Sequence, residues 1–186
     1  MIAALFGRRI DPEGTAERRF PLEHARMVRE RLRQVLVAEQ AECLICSAAC
    51  GADLLALDVA GELHLRRRII LPYAREQFRA SSVTDRPGNW GPLFDTTCDE
   101  VAAHHDLIVL EAAESRAEGH LRVTRTILDD ALALAQPAER QHADPREQVR
   151  ALVVWEGQAR GPDDHTAEFA RQARERGIQV IEILTL

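Results

Sequence analysis

A chain of 186 residues, 46% of them hydrophobic, can bury one sizeable core, and no apolar run approaches the ~20 residues that span a bilayer. The net charge of -6 argues against the broad basic surface of a general nucleic-acid binder. All 24 basic residues are arginine, so neither a lysine Schiff base nor a P-loop of the G-x-x-x-x-G-K-[ST] kind can form.

In chain order, the first strand is IAALF at 2–6, and its MIAALFGRRID context meets charge too early for a secretory signal, which makes a cytoplasmic protein without a membrane the expectation. A helix follows at 22–38, opened by Pro21, with Leu22, Ala25, Val28, Leu32, Val35 and Leu36 on one stripe. The strand ECLIC (42–46) comes next, then a helix at 52–64 and the strand RRIIL (67–71). A helix at 91–104, the strand LIVL (107–110) and a helix at 119–135 lead through a polar connector, 136–146, to ALVVW (151–155). The last helix, 164–176, ends at Gly177 before QVIEIL (179–184). Apolar runs alternating with helical periods define an α/β fold. The expected architecture is a single domain over 1–186, Rossmann-like and three-layer α/β/α, with a mainly parallel sheet of about six strands.

Cys43, Cys46 and Cys50 look like a metal cluster, but positions three apart on a strand face opposite sides. They read instead as small buried side chains, with Cys98, and the seven histidines give no metal pattern; no metal and no cofactor is expected.

In an open parallel sheet, ligands bind beyond the carboxyl ends of the strands, so the loops there carry the candidate binding residues. Ser47, Ala48, Gly51 and Asp53 lie where a strand passes into a helix, whose N-terminal amides and dipole favour an anion; Ser47 adds a hydroxyl, and Asp53 fits a cap or a contact to a ribose hydroxyl. A tight, purely structural turn explains the same residues. Gly7 permits close backbone approach and Arg8 offers a bidentate phosphate contact, or stands solvated. In LPYAREQFRASSV, Pro72 ends a strand and Phe78 anchors a flap presenting Arg79 and Ser82, unless Phe78 simply fills the core. Trp155, Glu156 and Gly157 end the fifth strand on the same side, with Trp155 and Trp90 better explained by packing than by stacking on a base. Arg122 and Arg125 share a helix face and read more readily as solvated than as phosphate ligands.

Several segments together resemble one family: FGRRID with RRFP (6–11 and 18–21), CSAACGADLLAL (46–57), IILPYAREQFRASSV (69–83), and LVVWEG with TAEFA and RGIQV (152–180). They are similar to the SLOG superfamily, the Rossmann-like group containing the DNA-processing protein DprA and the cytokinin-activating LOG enzymes. The nearer branch serves as a sensor module in bacterial signalling and conflict proteins. The resemblance spans nearly the whole chain and implies a cleft for a nucleotide or nucleotide-derived signal, with Arg8 standing where the family usually has histidine. It also implies pairing through helices, and the helix with Leu121, Ile127, Leu128, Leu132 and Leu134 makes a homodimer the expectation, alongside a separately encoded effector.

LOG enzymes carry P-G-G-x-G-T-x-x-E where this chain has GPDDHTAEF, 161–169. Thr166 is kept, but Asp163, Asp164 and His165 replace the glycines, position 169 is Phe169, and Glu168 falls one residue short of the catalytic place. Two carboxylates in a phosphate cradle repel the phosphate by on the order of 1 kcal/mol or more. Asp163 reads alternatively as the N-cap of the last helix. The expectation is therefore a non-catalytic sensing module. The alternatives are a nucleoside-monophosphate hydrolase with Asp53, Glu156 or Glu168 as general base, and an interaction module with a vestigial cleft.

Overall fold

The apolar runs become six strands that all pair in parallel. In the computed structural model, which describes residues 1–110, 115–136, 144–161 and 163–186, these are β1 (Ile2–Gly7), β2 (Cys43–Cys46), β3 (Arg66–Leu71), β4 (Leu107–Val109), β5 (Val149–Trp155) and β6 (Gln179–Leu184). They form one sheet in the order β4-β3-β2-β1-β5-β6. Parallel neighbours need crossovers of a dozen residues or more, and helices supply them. These are α1 (Ala25–Ala38), α2 (Ala52–Glu62), α3 (Arg75–Phe78), α4 (Trp90–Ala103), α5 (Arg116–Ala135) and α6 (His165–Glu175). Of the predicted polar connector, residues 137–143 lie outside the described residues.

The sheet separates two apolar layers. Leu5, Leu44, Cys46, Leu152 and Val154 face α1, α2 and α4 on one side; Ala4, Cys43, Ile45, Ala151 and Val153 face α5 and α6 on the other. Alternation along each strand sends successive residues to opposite layers, which is why the central strands are apolar throughout. The fold is thus the Rossmann-like three-layer α/β/α arrangement anticipated from the sequence, with the sheet parallel at every pairing.

Strands β1 to β4 are laid down outward in one direction, and the chain then returns to place β5 on the other side of β1. Connections leave in opposite senses at that point, which opens a crevice beyond the carboxyl ends of β1 and β5.

Local departures from the sequence reading have identifiable causes. Pro21 precedes a 3-10 turn, Leu22–His24, before α1 starts, and Leu22 stays exposed while Val28, Leu32 and Leu36 are buried. The segment after β3, read from sequence as a flap, is helical: α3 runs directly into a π-helical turn, Arg79–Val83. Cys43 and Cys46 face opposite layers, and burial pushes the thiols of Cys43, Cys50 and Cys98 up to about 11. On α5, Ile127 and Leu128 are buried against the sheet with Leu132 and Leu134 packed beside them, leaving Leu121 exposed.

Candidate functional site

At the switch point between β1 and β5 lies a cleft of about 680 Å³. Its inner wall is built from the turn that joins β2 to α2. Gly7 ends β1 so close to α2 that a Cβ there would sit 2.4 Å from the Ala52 Cβ. Gly51 has φ +99°, and a Cβ on it would meet the Ile10 amide nitrogen at 2.8 Å, so both the conformation and the space exclude a side chain. This closeness lets the turn pair with the loop after β1, the Ala52 amide donating to the Arg8 carbonyl at 3.1 Å, while the Cys50 amide donates to the Ser82 carbonyl of the π-helical turn at 3.0 Å. Two amides that the sequence offered to an anion are therefore used by the chain itself.

What this wall presents to the cleft is side-chain chemistry. Ser47 and Asp53 are each only 4% exposed. Asp53 reaches back so that Oδ2 accepts from the Ala49 amide at 3.2 Å, but Oδ1 has no hydrogen-bond partner, and neither has Ser47 Oγ. Burial is the dominant influence on Asp53 and pushes its carboxyl up to about 7, against the Ala49 amide, which favours the charged form. A buried polar atom without a partner costs free energy that a donor from outside can recover.

The opposite wall is saturated. Arg8, 4% exposed, donates from Nε to Glu156 Oε2 at 2.6 Å and from Nη1 to Asp164 Oδ1 at 2.5 Å. Its Nη2 reaches Glu156 Oε1 at 3.1 Å, Asp164 Oδ2 at 2.8 Å and the Gln158 carbonyl at 3.0 Å, and the guanidinium lies 5.9 Å from the Trp155 ring centroid. Asp164 is also the N-cap of α6, accepting from the amides of Thr166 and Ala167. Burial works to raise the Asp164 pKa, yet Arg8 and the two amides together hold it below the usual carboxylate range. The N-cap is thus Asp164, a correction to the sequence reading of Asp163, which instead lines the cleft.

Of the residues singled out from sequence, Gly7, Arg8, Ser47, Asp53, Ser82 and Thr166 line the cleft. Ala48 and Gly51 lie behind that lining, Ala48 within the apolar layer. Pro72 and Gly157 are outside it, and Glu156, also outside it, reaches the site through Arg8, Arg160 and Arg19. Arg79 turns away to Asp95, with Nε at 2.9 Å from Oδ1. Phe78 is buried beside Phe94, their ring centroids 6.1 Å apart, and also borders the cleft. Trp90 and Trp155 are packed, their indole nitrogens donating to the Pro87 carbonyl and to Glu182. Arg122 and Arg125 do not line the cleft.

Sequence reasoning passed over Arg9, Arg19, Arg86 and Arg160, which gather around the cleft from separate segments. Only the RR pairs at 8–9 and 18–19 gave any signal for them. His120 and His165 also meet at the cleft, ring centroids 5.2 Å apart, although 45 positions separate them in sequence. Among the described residues, no group of three or more His, Cys, Asp or Glu side chains could hold a metal ion.

Fold and site together define a doubly wound α/β domain with a preformed polar cleft at its switch point. No family model matches the chain, and no curated protein matches it.

Proposed function

We propose that this chain is a non-catalytic binding module whose switch-point cleft holds a nucleotide or a nucleotide-derived signal, in the manner of the sensor branch of the SLOG superfamily. The observation that carries the reading is the pair of unpartnered buried atoms, Ser47 Oγ and Asp53 Oδ1, in the wall of a cleft of about 680 Å³. Folding leaves two hydrogen bonds unmade at the place where doubly wound sheets bind ligands. Around them stand four further arginines of the lining, which suit the charged part of such a ligand.

The chemistry of the LOG reaction finds little support. The α6 amides of Thr166 and Ala167 donate to Asp164 rather than facing a phosphate, and Asp164 is bound to Arg8. Glu168 is engaged by Arg171 and Gln172, and Glu156 by Arg8. One observation does favour a second reading. Asp53 borders the cleft with its carboxyl pushed up to about 7, where a carboxyl exchanges protons readily, so a nucleoside-processing hydrolase with Asp53 as general base is the rival.

A thermal-shift panel of nucleotides, cyclic dinucleotides and ADP-ribose derivatives tests the binding reading. A ligand at 100 times its Kd stabilises by ~2.7 kcal/mol, and silence across the panel would remove the proposal. Steady release of free base from nucleoside monophosphates, abolished by Asp53→Asn, would establish the hydrolase instead.

A further inference from the structure

We propose that the inner end of the cleft receives the uncharged, hydroxyl-bearing part of its ligand, a sugar ring with two adjacent hydroxyls of the ribose type, held by Ser47 Oγ and Asp53 Oδ1, while any anionic group of that ligand stays outward among the rim arginines. This rests on reading the cleft as a nucleotide site and states which end of the nucleotide enters.

Doubly wound domains commonly seat phosphate on a helix N-terminus at the switch point, and two helices start here, α2 and α6. At α2 the amides of Cys50 and Ala52 donate to the carbonyls of Ser82 and Arg8, and the Ala49 amide to Asp53. At α6 the amides of Thr166 and Ala167 donate to Asp164. Arg8, the most deeply placed cation of the cleft, is held by Glu156, Asp164 and the Gln158 carbonyl. A phosphate pushed inward would find these donors spent and would meet the Asp53 carboxyl.

A hydroxyl meets the opposite reception. Both atoms are closed to solvent before a ligand arrives, so binding must uncover them; a hydroxyl then donates to Asp53 Oδ1, which as a carboxylate accepts only, and a neighbouring hydroxyl pairs with Ser47 Oγ in either sense. A phosphate ester offers acceptors alone, whereas a vicinal diol supplies both the donor and the amphoteric partner that the two orphaned atoms lack. Because burial raises the Asp53 pKa, a ligand donor at Oδ1 also favours the carboxylate that the protein on its own disfavours.

The rim differs in kind. Arg9 pairs with Asp85, Arg86 approaches the same carboxylate at 3.6 Å, and Arg160 stands 3.6 Å from Glu156. Arg19 pairs with Glu17, whose side chain is 75% exposed. The Arg9, Arg19 and Arg86 pairs are open to solvent, and such pairs hold weakly and exchange one anion for another; Arg160 is itself exposed, though Glu156 is not. These cations can turn to a phosphate, whereas Arg8, between two buried carboxylates, cannot.

Calorimetric titration of the full chain tests this with AMP, GMP, CMP and UMP, their 2′-deoxy and 3′-deoxy counterparts, and ribose 5-phosphate. The ribonucleotide that binds should do so at least about tenfold more tightly than either deoxy form. Asp53→Asn and Ser47→Ala should each remove that preference, with Ser47→Ala leaving the melting temperature of the ligand-free protein no lower than before. Binding of ribose 5-phosphate with the same dependence on Asp53 also supports the diol subsite and makes a sugar phosphate its source. Equal affinity for ribo and deoxy forms, unchanged in Asp53→Asn, would overturn the proposal while leaving the nucleotide reading intact. Failure of every probe to bind would overturn the proposal, and silence of the cyclic dinucleotides and ADP-ribose derivatives as well would overturn the nucleotide reading with it.

Discussion

Asp53 and Asp164 stand on opposite walls of one cleft, each nearly buried and each beside the start of a helix, yet burial has opposite outcomes for them. Asp164 accepts from Arg8, from the amides of Thr166 and Ala167 and from that of Arg160, and its carboxyl is held below the usual range. Asp53 accepts from the Ala49 amide alone, and its carboxyl is pushed up to about 7. The number of donors, rather than depth, separates a carboxylate that holds the fold together from one that the fold leaves unsatisfied. The saturated wall is architecture, and the unsaturated wall is where a ligand has something to add.

The contrast breaks most severely at Arg8. Arg8→Ala strands Glu156 and Asp164 without their cation, and denaturant unfolding should show a loss of about 3–5 kcal/mol, as for a buried pair deprived of one partner. Gly51→Ala attacks the other wall through its backbone. With φ +99° and a backbone nitrogen 2.8 Å from the new Cβ, the same measurement should show a loss of about 1–3 kcal/mol.

Asp53 gives a pH signature of its own. Its folded pKa is raised from 3.8 to about 7, so between those values the folded state holds a proton that the unfolded state has released. Stability should therefore fall as pH rises across that window, by up to about 1.4 kcal/mol per pH unit, and level off above it. Asp53→Asn should flatten the slope. Asp164 contributes with the opposite sign and elsewhere: its lowered pKa gives stability present above the ordinary carboxylate range and lost in stronger acid, so the two acids separate along one titration. The smallest effect belongs to Ser47→Ala. Removing a buried hydroxyl without a partner should leave thermal stability unchanged or raise it by up to about 1 kcal/mol, whereas a marked loss would mean that Ser47 is bonded within the protein after all.

Much of the architecture was legible because a parallel sheet buried on both faces must spell its strands as short apolar runs, and IAALF, ECLIC, RRIIL, LIVL, ALVVW and QVIEIL all carry strands in the structure. Strand order was not legible, since nothing local tells β5 to lie beside β1. The cleft-side placement of Ser47 and Asp53 could be read from the strand-to-helix passage at Gly51, but their lack of partners could not, because it depends on which groups from distant segments the fold brings near them. Arg8 itself was read as a contact for phosphate or as a solvated side chain, and its partners lie 148 and 156 positions further along. Asp163 and Asp164 are adjacent and equally able to cap a helix by composition; only the path of the chain into α6 gives the position to Asp164. Arg79 shows the reverse problem, a plausible flap residue that the π-helical turn carries round to Asp95.

The Arg8 tie also bears on how the site can work. It fastens the end of β1 to both the segment leaving β5 and the start of α6, so the two halves of the sheet are riveted together at the very mouth they form. Such a mouth is a slot rather than a pair of jaws. On the binding proposed above, a guest would be selected by fit to that outline, and the exposed rim would be where side chains are still at liberty to change hands.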